Sequence, residues 1–132
     1  MLIPASAPQI ERVECVRIAS IDNWHQWAGI PGVTVGAWDG TDAAAIAGLV
    51  ADLPGGQLMR CFTPRYGIRA HGADAILFEI AFCFRCHGAL VLQPGQHEPG
   101  KLVGFAPDSP PARDLLARFR STDQPETPPN SS

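Results

Sequence analysis

The 132-residue sequence has little charge and no long apolar run. Charged residues make up 17% of the chain and its formal net charge is −3, so we expect no nucleic-acid partner held by a basic surface. No apolar stretch approaches the roughly 18 residues of a membrane-spanning helix, so we expect no membrane association. Residues 1–8 lack the charged and apolar regions of a signal peptide, which predicts a cytoplasmic protein with reduced thiols.

Catalytic signatures are also missing. The chain contains no G-x-S-x-G, no P-loop, no G-x-G-x-x-G and no H-E-x-x-H. Its carboxylates are scattered, and no spacing among Asp39, Asp42, Asp74 and Glu79 requires a paired-carboxylate site. Nothing in the sequence argues for an enzyme, and the prediction leans towards a non-enzymatic domain.

The pattern of apolar residues predicts one α+β domain over 9–120, with a flexible N-terminus over 1–8 and a disordered tail over 121–132. We expect an antiparallel sheet of about five strands with two helices packed on one face. Thr41 or Asp42 is the predicted N-cap of the first helix, which runs to Leu53, and Ser109 followed by Pro110 starts the second, which runs to Arg120. Strand patterns occur at 10–18, 33–38, 58–62, 66–71, 75–83, 89–92 and 101–105.

The strictly alternating run over 75–83 predicts the face that each central side chain occupies. A short turn at 72–74 would pair His71 with Ala75, and that register would bring Cys61 diagonally next to Cys83. The even-numbered side would be core, and it collects Phe62, Tyr66, Ile68, Ile76, Phe78, Ile80 and Phe82. The odd-numbered side would carry the chemistry, and it collects Cys61, Arg65, Arg69, Glu79 and Cys83.

Three cysteines form the main candidate site. Cys83 and Cys86 have the C-x-x-C spacing that lets two thiolates hold one metal ion, and Cys61 is the natural third ligand. The fourth ligand would be His87, His71, His97 or a water molecule. Zinc is the expected ion, although the chain lacks the second C-x-x-C or H-x-x-H pair that would make this signal specific.

Two other interpretations of the same cysteines stay open. Cys83 and Cys86 can form a reversible disulfide, with Arg85 between them favouring the thiolate, but the strand-like residues that follow offer no helix N-terminus. The spelling C-x-x-C-H also matches haem c attachment, with His87 as ligand. The absence of an export signal argues against haem.

A metal-free interaction module, such as an immunity-type protein, is the third class of function. Trp24, Trp27 and Trp38 would then form a contact surface for a protein partner. Arg65 and Arg69 could bind an anion, but Glu79 on the same face favours a solvated ion pair. Cys15 lies among apolar residues and is expected to be buried.

The cysteine segments also carry a resemblance. The segment Cys-Phe-Thr-Pro-Arg-Tyr-Gly-Ile-Arg at 61–69, followed by Cys-Phe-Arg-Cys at 83–86, resembles small uncharacterised bacterial proteins with the same arrangement. The helix start at 108–113 is similar too. The resemblance implies a stand-alone bacterial domain whose three cysteines act together, and it implies no particular activity.

Overall fold

The computed structural model describes residues 9–59, 61–94 and 100–123, which form one antiparallel sheet and two α-helices. The sheet has six strands in the order β2-β1-β3-β4-β5-β6, so the predicted α+β class is confirmed and the strand count is one higher than expected. The elements, in chain order, are β1 (Arg12–Ile18), β2 (Gly32–Asp39), α1 (Gly40–Ala51), β3 (Tyr66–His71), β4 (Ile76–Cys83), β5 (Gly88–Leu92), β6 (Lys101–Gly104) and α2 (Pro110–Asp123).

Both helices pack on one face of the sheet, as predicted. Ile46 and Val50 of α1 and Leu115 and Phe119 of α2 are fully buried in one cluster with side chains of β1, β3 and β4. Phe119 lies near the centre, where its ring is within 6.3 Å of the rings of four other aromatic residues. Those residues are Trp38, Tyr66, Phe82 and Phe84. We call this side of the sheet the helix face.

The opposite side, which we call the loop face, is covered by irregular chain. The β1–β2 connection, with a 3-10 turn at Trp24–Gln26, contributes Ile30 and both loop tryptophans, and the segment before β3 contributes Phe62. These side chains pack on a second buried cluster that includes Cys83, Cys86 and Leu90. Phe62 is thus buried, as predicted, but it lies in the loop-face cluster rather than on the same face as Phe78 and Phe82. Its ring lies 4.9 Å from that of Trp24.

The β3–β4 hairpin keeps the predicted faces but not the predicted register. The turn takes one more residue, since Gly72 donates to the carbonyl of Ala75 and His71 pairs with Ile76. A bulge between Ala70 and His71 adds a second residue of shift. Arg69 consequently lies opposite Glu79 rather than Leu77. Because strand side chains alternate with a period of two, a shift of two residues leaves every side chain on its own face.

The helix boundaries differ from the prediction in instructive places. α1 begins at Gly40, whose positive φ of 56° suits glycine, and Asp39 takes the N-cap position expected of Thr41 or Asp42. Ser109 is confirmed as the start of α2, because its carbonyl accepts the hydrogen bond of Arg113. α2 continues to Asp123, so residues 121–123 are helical rather than part of a disordered tail.

Several other predicted features lie partly or wholly outside the described chain. The rest of the predicted tail, 124–132, and the predicted flexible segment 1–8 are not among the described residues. The strand expected over 58–62 does not form in its described residues. Met59 there donates instead to the carbonyl of Cys86, and this bond attaches the segment before β3 to the β4–β5 turn.

Candidate functional site

Two segments bring three cysteines together on the loop face. Cys83 is the last residue of β4, and Cys86 lies in the turn of residues 84–87 that leads into β5. Cys61 precedes β3 and lies across from that turn. His87 closes the turn with a positive φ of 58°, which reverses the chain into β5 so that Gly88 pairs with Cys83. The hairpin therefore fixes both members of the C-x-x-C pair.

The sulfur of Cys86 is at the centre of the group. It lies 2.7 Å from the sulfur of Cys61 and 3.6 Å from the hydroxyl oxygen of Thr63. The same hydroxyl oxygen lies 3.7 Å from the Cys83 sulfur, which also accepts the backbone N–H of Cys86 at 3.1 Å. The structure thus brings Cys61, Cys83 and Cys86 together, with Cys61 nearest to Cys86 rather than to Cys83.

The three thiols differ in exposure and acidity. Cys61 is exposed, and its hydrogen bond with Cys86 raises the pKa of its thiol. Burial raises the pKa of Cys83. Burial also acts to raise the pKa of Cys86, but hydrogen bonds with Cys61, Cys83 and Thr63 outweigh it and lower that pKa. Cys86 is therefore the thiol whose anion the site favours most.

The fourth residue of the predicted metal site is only partly accounted for. His87 adjoins Cys86 in the turn and is half-buried. His71 is excluded as a ligand, because it sits at the far end of β3 and hydrogen-bonds Glu14. His97 lies outside the described residues. Among the described residues, no group of three or more His, Cys, Asp and Glu side chains has the geometry of a preformed metal site.

Distances indicate what each chemistry would require of the site. Zinc–thiolate bonds of about 2.3 Å in a tetrahedron separate two sulfurs by roughly 3.8 Å, and a disulfide brings them to about 2.05 Å. The observed 2.7 Å between Cys61 and Cys86 lies between these values. A disulfide therefore needs the two sulfurs to approach by about 0.7 Å and a zinc site needs them to separate by about 1.1 Å, and both movements are within reach of an exposed side chain such as Cys61.

The tryptophans do not form one surface. Trp24 and Trp27 are half-buried in the loop-face cluster. Trp38 packs on the other side of the sheet, where its ring lies 6.3 Å from that of Phe119. A contact patch built from all three residues is therefore not present in this structure.

Of the two arginines predicted to lie beside Glu79, only Arg69 forms an ion pair with it. Arg69 binds Glu79 through its Nε at 3.0 Å, as expected, but the carboxylate is only 7% exposed and also accepts the N–H of Ile30 at 3.1 Å. The carboxylate of this pair is thus buried and the arginine half-buried, rather than both being solvated. Arg65 forms no ion pair with any described carboxylate.

Sequence analysis missed two sets of polar residues. Glu14 contacts both Arg69, at 3.5 Å, and His71. The alternation of β1 was the signal that could have identified Glu14, because it places Glu14 on the opposite side of the strand from Val13 and Cys15. Arg85 and Arg120 line a cavity between the β4–β5 turn and α2, and no local pattern relates residues so far apart in the chain.

Comparison with known proteins identifies no relative. No protein-family model, no curated protein and no solved structure matches the chain. In the described part of the chain, neither helix has the length and apolar character needed to cross a membrane. The function of the protein must therefore be inferred from the geometry of the site itself.

Proposed function

We propose that this chain is a small non-enzymatic binding domain in which Cys61, Cys83 and Cys86 hold one structural zinc ion. The observation that supports this proposal is that three thiols from two separate segments lie in one cluster, in which Cys86 contacts Cys61 and the Thr63 hydroxyl lies near both the Cys83 and the Cys86 sulfur. A single disulfide needs two thiols, whereas a soft metal ion uses all three.

The surroundings of the sulfurs suit thiolate ligands. The N–H of Cys86 donates to the Cys83 sulfur, and the Thr63 hydroxyl is within reach of both buried sulfurs. Donors of this kind orient thiolates and offset their negative charge. The fourth position would be filled by His87 or by a water molecule, since Cys61 opens the site to solvent.

The proposed ion would stabilise the loop face. It would join the segment before β3 to the β4–β5 turn, which the hydrogen bond from Met59 to Cys86 already connects. Leu58 and Met59 are 39% and 47% exposed next to this junction. Fixing them in place would present an apolar surface to a protein partner.

The second candidate is a thiol–disulfide function, favoured by the 2.7 Å between the Cys61 and Cys86 sulfurs. In this reaction the two thiols would lose two electrons and two protons to an acceptor disulfide, which would be reduced to two thiols. The pair differs from the C-x-x-C pair that the sequence favours. Cys86, whose pKa is lowered, would attack the acceptor disulfide, and Cys61 would then displace the acceptor thiol from the mixed disulfide.

Metal content tests the first proposal and separates it from the second. Protein purified under reducing conditions should contain about one zinc ion per chain, and Cys86→Ala should lose it. Cys15→Ala is the matched control, because Cys15 is buried on the helix face, away from the other three cysteines. Its substitution should therefore leave the zinc content unchanged. Absence of zinc with four titratable thiols would overturn the metal proposal. A Cys61–Cys86 disulfide formed under mild oxidation, mapped by mass spectrometry, would then support the redox function.

A further inference from the structure

A cavity of about 430 Å³ lies between the β4–β5 turn, the segment before β3 and α2. Its volume is within the range of small-molecule sites in proteins. The residues that define its chemistry are Arg65, Arg85, Arg120, Thr63, Tyr66 and Phe84. None of the described residues that line it is acidic.

The three arginines of the cavity come from three different segments, and among the described residues none of them has a carboxylate partner. Four of the eight described arginines form ion pairs within 4 Å, namely Arg12, Arg17, Arg69 and Arg118. Three of the other four line this one cavity. The fourth, Arg113, is exposed on α2 and does not line the cavity. In a chain with a net charge of −3, this concentration of unpaired positive charge calls for an anionic ligand.

Aromatic side chains form the apolar wall of the cavity. The Tyr66 ring stacks on Phe119 at 5.5 Å, and the Phe84 ring lies 5.5 Å from that of Phe105, so both are held by the core beneath them. The Tyr66 hydroxyl already donates to Asp123 at 2.9 Å. That carboxylate also binds Arg17, and it forms no ion pair with any of the three cavity arginines. A planar apolar group would find a preformed surface here.

We propose that the cavity lined by Arg65, Arg85 and Arg120 binds a small phosphate monoester with a planar apolar body. Three guanidinium groups match the near-dianionic charge of a phosphate monoester better than the single charge of a carboxylate. The aromatic wall would contact the body of the ligand. The site goes beyond the proposed metal centre and requires neither a metal nor a redox step.

Titration of the full chain with phenyl phosphate, followed by amide NMR shifts and calorimetry, tests the proposal. Saturable binding is expected, with shifts at Arg85 and Arg120, and with weaker binding of inorganic phosphate and phenylacetate. Arg120→Gln should weaken phenyl phosphate binding by about tenfold, as loss of one charge-assisted contact predicts. Arg85→Gln should have a similar effect.

The matched control is Arg113→Gln, which removes the same charge from the same helix outside the cavity. An unchanged affinity is expected for this variant. An equal loss in Arg113→Gln and Arg120→Gln would overturn the proposal, since it would reflect net charge alone. Inorganic phosphate or phenylacetate binding as tightly as phenyl phosphate would overturn it as well.

Discussion

The two faces of the sheet are both buried, but different chemistry lies beneath each. The helix face is covered by regular secondary structure and packed with aliphatic and aromatic side chains. The loop face is covered by irregular chain and holds Cys83, Cys86 and the buried carboxylate of Glu79. Cys15 makes the contrast clearest, because burial on the helix face raises the pKa of its thiol to about 12, whereas the pKa of Cys86 is lowered. The same sheet therefore separates an aliphatic and aromatic core from a side that carries a cluster of thiols and a buried carboxylate.

The largest expected effect is on the helix face. Phe119→Ala should lower the free energy of unfolding by about 3 to 5 kcal/mol, because it leaves a cavity among four neighbouring aromatic rings. Urea unfolding followed by circular dichroism measures this change. Val33→Ala, at a position 53% exposed, should change stability little. Equal effects of the two substitutions would show that the helix face is not the stabilising core.

A smaller effect is expected from the ion pair of the loop face. Glu79→Gln should destabilise the fold by about 1 to 3 kcal/mol, since it removes a charged acceptor from both Arg69 and the N–H of Ile30. Urea unfolding again gives the measurement. Glu11→Gln is the matched control, because Glu11 is exposed and its substitution should leave the free energy of unfolding unchanged. If Glu79→Gln left the free energy of unfolding unchanged, the buried charge of Glu79 would not contribute to the stability of the fold.

The smallest expected effect depends on pH. Hydrogen bonds from His71 and Thr34 outweigh burial and lower the pKa of Glu14 below its ordinary 4.5. At pH values between the pKa of Glu14 in the folded chain and its pKa in the unfolded chain, the unfolded chain binds more protons than the folded chain. The contribution of Glu14 to stability is therefore present above pH 4.5 and is lost as the pH falls further.

Stability measured from pH 7 to pH 3 checks this sign. Wild-type protein should exceed Glu14→Gln in stability at neutral pH, and the two curves should converge in acid. Parallel curves would show that Glu14 does not contribute through its charge.

Much of the fold could be predicted because its signals are local. The alternation over 75–83 indicated β4, and Ser109 before Pro110 indicated the start of α2. Within β3 and β4 the assignment of faces is also confirmed, because a register shift of two residues preserves it. Burial of Cys15 was predicted correctly from its apolar neighbours.

The remaining features depend on contacts between distant segments. The strand composition of the segment before β3 predicts Phe62 on the same face as Phe78, but that segment crosses the loop face as irregular chain and buries Phe62 there. The contact of Cys61 with Cys86 depends on the path of that segment, which no periodicity encodes. The arginine cavity likewise needs α2 and the β4–β5 turn to be placed together by tertiary packing.

Differential alkylation of the four cysteines, read by mass spectrometry before and after chelation of metal, tests the central proposal most directly. Cys61 is exposed, so a free thiol at this position should react rapidly. If the three thiolates hold a metal ion, Cys61 should be protected from alkylation in protein isolated under reducing conditions and should react after chelation. Buried Cys15 should stay protected in both samples. Equal reaction of Cys61 before and after chelation would contradict the three-thiolate metal site.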